Sequence, residues 1–243
     1  MPSLFSSPPR ILRATARDRA AVSWAVDPDL VAPDLPAGLR PDTRDGRAYV
    51  RLVGVRLAKV RVLGLVGPGL RRVPAVELQV LVREEAAPDR RGTMTVRAHV
   101  PRRLVAWGAR GLYGESVTVA PMQPVRREQG DAVEMTYRFD VAGREQRLRL
   151  TATGPPSSPS PGTLPHFLRE RSWRYGVGRD GTLLRARIER DAAPISRADE
   201  HHVTVRWAVV YGEPWGALDG RAPAAALVSP GGPLALRWRQ RAS

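Results

Sequence analysis

Few side chains in this sequence could do covalent chemistry. Cysteine is absent, which removes disulfides, thiolate nucleophiles and thiolate metal ligands. Lys59 is the only lysine among 39 basic residues, so it is the one side-chain amine a Schiff base could use. That chemistry needs an amine neutral near pH 7, its pKa lowered by burial or by a neighbouring cation. Lys59 shares a strand face with Arg61, but a lysine at a strand end is far more often exposed and inert. Arginine cannot take its place, because it stays protonated at any usable pH. The four histidines predict no metal site. His201 and His202 are adjacent in an extended run and point to opposite faces, and His99 and His166 have no carboxylate at ligand spacing. Neither a metal nor a cofactor is expected.

The polar residues that could converge are Glu77, Gln79, Arg97, Arg110, Tyr113 and Glu115. Val76, Leu78, Val80 and Val82 alternate with Glu77, Gln79, Leu81 and Arg83, which predicts a half-buried strand with Glu77 and Gln79 on one face. If that face looks into a cavity, Glu77 needs a partner, and Arg110 is the natural one. If the face is solvated, the pair is an ordinary surface one. Alternation leaves both readings open. Glu170 and Arg171 read as ties between a helix and the sheet. There is no Gly-rich phosphate loop, nucleophile elbow or paired acidic motif.

The element that must position these groups runs from residue 92 to 122 and reads as strand, helix, strand. Pro101 suits a first helical position, where its missing N–H has no partner to lose. Leu104, Trp107, Gly108, Gly111 and Leu112 recur at helical spacing and predict one buried face. Gly114 ends the helix, and Val117 and Val119 resume an extended run. Upstream, Asp27 is a plausible N-cap with Pro28 after it. Asp45-Gly46 predicts a turn into a run from Ala48 to Leu63 that is apolar on both faces, with Gly54 inside it.

Downstream, two alternating runs around Ala142-Gly143 predict a hairpin. Thr163 predicts a cap for a second helix reaching Tyr175. Three strands follow, Leu183 to Glu189, His202 to Tyr211 and Leu234 to Gln240. Eight or nine strands with two or three short helices predict a mainly β (α+β) fold, an antiparallel, closed or cone-like β-barrel. Residues 1–19 are expected to form a disordered arm. Residues 20–243 are expected to form one domain, with the Pro/Ser/Gly-rich segment 154–162 as a surface loop.

The formal charge of +15 is carried by arginines spread in ones and twos or alternating along strands, the pattern of solvated faces. No zinc-finger spacing, recognition helix or aromatic RNA-binding strand accompanies it, so no specific nucleic acid is expected. No run approaches the roughly 18 apolar residues of a membrane span. The first residues lack the apolar core of a secretory signal. A cytoplasmic protein without a membrane partner is the expectation.

Several segments in order resemble the YqjF-like family, domain of unknown function 2071. They begin with Trp24, Asp27-Pro28 and Leu35-Pro36-Ala-Gly38-Leu39, then Asp45-Gly46-Arg-Ala48-Tyr49-Val50. Leu104-Val-Ala-Trp-Gly-Ala-Arg110-Gly-Leu-Tyr113 and Ala120-Pro-Met122 follow. Phe167-Leu168-Arg-Glu170-Arg171 with Tyr175, and Val228-Ser229-Pro230-Gly231, complete the set. The resemblance implies the acetoacetate decarboxylase fold, a cone-like barrel with a central cavity. The chain departs from it where Glu77-Leu-Gln79-Val-Leu81 replaces an Asn-x-Arg-x-Tyr pattern, and where Arg190-Asp-Ala-Ala-Pro194-Ile195 replaces a His-x-Pro-Trp-like segment.

Decarboxylases of this fold carry a Schiff-base lysine at the start of the strand after the central helix. This chain has Tyr113-Gly114-Glu115-Ser116 there, so Schiff-base decarboxylation is not expected. The leading expectation is a cavity that binds a small organic molecule, partly apolar or anionic. A carboxylate–arginine enzyme of the enol proton-transfer type and a basic nucleic-acid-binding surface are the alternatives.

Overall fold

The computed structural model describes residues 8–67, 70–191 and 193–242, and the chain is mainly β. Strand β1 (Arg10–Val26) comes first. Asp27 then caps helix α1 (Pro28–Val31), its carboxylate accepting the Asp29 N–H at 3.0 Å, as the Asp-Pro spacing predicts. The short β2 (Leu39–Pro41) precedes the Asp45-Gly46 turn. Both turn residues have positive φ, 53° and 73°, as a tight turn between right-twisted strands requires.

The long strands β3 (Ala48–Val62), β4 (Arg72–Glu84) and β5 (Arg91–Val100) lead to helix α2 (Arg103–Tyr113) and β6 (Val117–Val119). A meander of β7 (Met122–Gln129), β8 (Ala132–Val141) and β9 (Arg144–Thr153) follows, with the expected turn at Ala142-Gly143. The chain continues through α3 (Leu164–Arg169), β10 (Trp173–Val177), β11 (Leu183–Arg190), β12 (Ser196–Arg197) and β13 (Glu200–Thr204). It ends with α4 (Trp207–Tyr211), β14 (Ala225–Arg237) and β15 (Gln240–Arg241).

Two sheets form. The larger runs β14-β1-β3-β4-β5-β10-β11, and β11 pairs again with β14 through Ile188 to Arg190, so the hydrogen-bonded path returns to the strand it left. The smaller runs β13-β9-β8-β7. Its Met135, Tyr137, Phe139, Leu148 and Leu150 pack against Ala20, Val22 and Trp24 of β1, Val50 and Leu52 of β3, and the even-numbered valines and Leu78 of β4. Gly54 lets this contact close, since a Cβ there would sit inside the Tyr137 ring. With one face of β1, β3 and β4 covered by the second sheet, the other face, carrying Arg19, Arg51, Glu77 and Gln79, turns to the interior of the larger sheet.

Two bulges set which residues reach that interior. Asp18 (φ 51°) and Lys59 (φ 53°) lie at register shifts between β1 and β3, and an extra residue moves the following side chains to the other face. Before Asp18 the interior residues are Leu12 and Ala16; after it they are Arg19, Ala21 and Ser23. The bulge at Lys59 leaves its own side chain exposed and brings Val60 and Val62 inward.

Several expectations need correction. Residues 10–19, expected in a disordered arm, form the first half of β1, held on both sides by β3 and β14; residues 1–7 lie outside the described residues. The larger sheet is not wholly antiparallel, since β10 and β6 both pair with β5 in parallel. The second helix stops at Arg169, where Glu170 leaves helical backbone at ψ 77°, and Tyr175 lies in β10; Thr163 holds the N-cap position, but its hydroxyl donates to Ser160 O and caps no helix N–H. The run His202 to Tyr211 divides into β13 and α4, where Trp207 and Tyr211 pack into the core at helical spacing. On α2 the buried residues are Ala106, packed beside Val105 and Ala109, and Tyr113, packed with Leu112, Ile11 and Ala186, while Leu104 and Trp107 are 70% and 73% exposed.

Candidate functional site

The interior of the larger sheet holds a cavity of about 570 Å³, within the range of small-molecule sites. Its walls come from β1, β3, β4, β5, β10, β11 and β14, with α2 along one side. Glu77, Gln79, Tyr113 and Glu115 line it; Arg97 and Arg110 do not. Arg97 donates to Val210 O at 2.7 Å, tying β5 to α4, and Arg110 is spent on Val117 O. The expected partnership of Arg110 with Glu77 is therefore not made.

Arg174 of β10 takes that part. It donates to Glu77 at 3.0 Å, to Thr95 at 3.2 Å, and to both carboxylate oxygens of Glu115, the Oε2 contact at 3.0 Å. Glu77 also accepts from Gln79, and the Gln79 carbonyl accepts from Arg51 Nε at 2.8 Å. Arg51 donates onward to Leu168 O at 2.9 Å. One hydrogen-bonded chain thus runs from β3 through β4 to β10 and to Glu115 just past α2. Glu115 is placed by a close backbone crossing. Gly114 caps α2 at φ 63°, and a Cβ on Gly114 or Gly176 would run into the other segment's carbonyl.

One guanidinium serves two carboxylates here. Burial would lower the pKa of Arg174, but Glu115 and Glu77 outweigh it and raise it. Burial raises Glu115 above the usual carboxylate range, against the pull of Arg174 and with help from Glu77. The two shifts point opposite ways for the same pair. Arg174 divides its charge between Glu77 and Glu115, so its pull does not offset the burial of Glu115, and the raised direction stands for that carboxyl. Burial also raises the Tyr113 phenol, with Glu115 second, and its hydroxyl has no hydrogen-bond partner among the described residues.

Around this cluster stand further guanidinium groups. Arg19, Arg51, Arg169 and Arg190 all line the cavity. Burial lowers Arg19, burial and Arg19 lower Arg51 strongly, and burial with neighbouring arginines brings Arg190 down to about 9. A guanidinium keeps its proton, so these shifts mark like charges crowded in a low-dielectric space, a field that favours an anion. Arg190 donates to the carbonyls of Arg169 and Arg171 at 2.8 and 3.1 Å, while Arg169 Nη2 is buried without a partner among the described residues. Arg19 makes no side-chain hydrogen bond among them either. It keeps partial surface exposure, and that surface belongs to the cavity.

Sequence reasoning missed Arg19, Arg51, Arg174 and Arg190. Arginine is so frequent here that single positions carry little contrast. Arg51 gave the most usable signal, the one charge between Ala48 and Val55 in a run read as apolar on both faces.

The family model for domain of unknown function 2071, described as an uncharacterized conserved protein, matches residues 13–233. The chain belongs to this family. Structures similar to this member of the family share the acetoacetate decarboxylase-like fold. An acetoacetate decarboxylase-like enzyme from Sphingomonas wittichii RW1 superposes with a TM-score of 0.68 at 14% identity, covering 99% of each chain. The acetoacetate decarboxylase of Legionella pneumophila gives 0.66 at 14% identity, covering 100% of this chain and 92% of its own. The enduracididine biosynthesis enzyme MppR gives 0.70 at 16% identity, covering 100% and 91%. No curated protein matches the sequence. No helix among the described residues is long and apolar enough to cross a membrane.

Proposed function

We propose that this family member binds a small organic anion inside the larger sheet, which works as a cone-like barrel around its cavity. The observation that carries the reading is the imbalance of buried charge. Arg19, Arg51, Arg169 and Arg190 face the same space as the Glu77–Arg174–Glu115 cluster, and Arg174 is the only one of these arginines ion-paired to Glu77 or Glu115 among the described residues. A carboxylate entering beside Arg19 would neutralise part of that excess and accept from donors that now lack acceptors. Schiff-base chemistry is excluded from the proposal, because Glu115-Ser116 follows α2 and Lys59 does not line the cavity.

The test is thermal unfolding with hexanoate and, as a charge control, hexylamine. The proposal expects hexanoate to raise the melting temperature in a saturable way and hexylamine to leave it unchanged. Equal shifts from both, or none from hexanoate, would refute it.

A second reading adds proton transfer to binding. Glu115 lies in the cavity wall with its carboxyl raised by burial, the direction that makes a carboxylate a better base, and Arg174 beside it would stabilise a developing enolate. Deuterium exchange at the methyl group of pyruvate in D2O, followed by NMR, checks it. Exchange should exceed the buffer rate with the wild-type protein and fall to the buffer rate with Glu115→Gln.

A further inference from the structure

The polar and apolar walls of the cavity are not mixed. Along the paired strands β3 and β4, the interior residues succeed one another as Arg51 opposite Gln79, Val53 opposite Glu77, Val55 opposite Ala75, and Leu57 opposite Val73. The succession goes from charged to wholly apolar. From Gln79 to Val73 the strand runs about 20 Å at the usual rise per residue. Beyond Leu57 the gradient continues through Val60 and Val62, with Leu12 from β1 and Leu234 and Leu236 from β14. Several of these side chains are only partly buried although they belong to the packed cluster around Val60 and Val73, because one side of each faces the cavity.

The apolar wall also reaches the surface. Leu104 and Trp107 line the cavity and are exposed to 70% and 73%. The β3–β4 connection adds Leu70, which lines the cavity and packs in one cluster with Val105 of α2, and carries Leu63 and Leu65, exposed to 66% and 74%. A small oxo acid held at the arginines would leave this whole upper half wetted and empty.

We infer that the ligand is an amphiphile, a carboxylic acid with an extended apolar chain, its head at Arg19 and Arg51 and its tail running past Leu57 and Val73 to emerge beside Leu104 and Trp107. This rests on the anion-binding reading above and names its ligand class. The chain adds affinity by leaving water, with each buried methylene contributing about fourfold.

The experiment is calorimetric titration with butyrate, hexanoate and decanoate, the last kept below its micelle concentration. The wild-type protein is compared with the double variant Leu104→Ser/Trp107→Ser, whose changes are at exposed positions. The inference expects decanoate to bind about 250-fold tighter than hexanoate, and the double variant to weaken decanoate about tenfold while leaving butyrate unchanged. Butyrate, hexanoate and decanoate binding alike would overturn the amphiphile and leave anion binding standing. No binding of any of them would remove the anion reading itself. Sedimentation of the same samples provides a further check. A wild-type dimer that the double variant abolishes, with decanoate affinity unchanged, would make the apolar mouth a subunit contact and also overturn the inference.

Discussion

Arg174 grips Glu115 through both Nε and Nη2, and Nη2 also reaches Glu77 at 3.0 Å. The cation lies on a strand and one of the acids lies just past a helix. Their meeting depends on the crossing of Gly114 with Gly176. In decarboxylases of this fold the resemblance places a nucleophilic lysine in the region that here reads Tyr113-Gly114-Glu115-Ser116. Here that region carries an acid already committed to a buried arginine and no side-chain amine.

Removal of Arg174 should be more costly than removal of either acid. Arg174→Met leaves two buried carboxylates without their cation, a change expected to cost about 3–5 kcal/mol. Glu115→Gln leaves Arg174 paired with Glu77 and should cost much less. Urea unfolding at pH 7 measures both, and a Glu115→Gln variant as destabilised as Arg174→Met would contradict the shared-cation arrangement.

Stability should respond to Glu115 in one pH window. Its folded pKa is raised, by burial first, so the native state holds the proton more tightly than the unfolded chain does. Its contribution to stability is therefore present below the ordinary glutamate pKa of about 4.3. That contribution is lost as pH rises through the folded value. Relative to wild type, Glu115→Gln should gain stability as pH rises above the ordinary glutamate value. A difference between the two proteins that does not change with pH would count against this.

His99 should act with the opposite sign. Burial, with Arg97 second, lowers its pKa to about 4, and its Nδ1 meets the Thr118 hydroxyl at 2.7 Å. The unfolded chain then takes up the proton first, so stability is full above about 6.5 and is lost as pH falls towards 4, by about 3 kcal/mol at most. In His99→Gln that acid-side loss should be reduced, which urea midpoints at pH 4.5 and 7 would show. An unchanged slope would mean that His99 is charged in the native state.

Glycines at the end of α2 should differ sharply from those within it. Gly114→Ala forces a left-handed alanine, about 1–3 kcal/mol, and drives a methyl group against the carbonyl of Val177. Gly111 has open space around its Cβ position, so Gly111→Ala should stabilise α2 by up to about 1 kcal/mol. Chemical denaturation of the two variants separates them, and similar effects would mean that the Gly114–Gly176 crossing is not tight.

The sequence shows some parts of this structure and hides others for physical reasons. Asp27-Pro28, Asp45-Gly46 and Ala142-Gly143 are legible because caps and tight turns need particular backbones. The alternation through Val76 to Val82 is legible as a strand. It could not say that the face with Glu77 turns to a cavity, because that depends on which side the second sheet covers. Leu104 and Trp107 mislead for the converse reason. Their helical spacing matches a buried stripe, yet they form an exposed apolar mouth. Arg174 is invisible as the partner of Glu77 because 97 residues separate them and no local pattern joins β10 to β4.

Arg19 offers the most direct test of the anion site. It lines the cavity without a side-chain hydrogen bond among the described residues, so Arg19→Gln should leave the urea midpoint unchanged or slightly raised. The decisive measurement is calorimetric titration of hexanoate into wild type and Arg19→Gln at equal ionic strength. The account predicts that hexanoate binds the wild type and that its affinity falls at least about tenfold in the variant, the loss expected for one charge-assisted contact. Equal affinity in two equally stable proteins would contradict it.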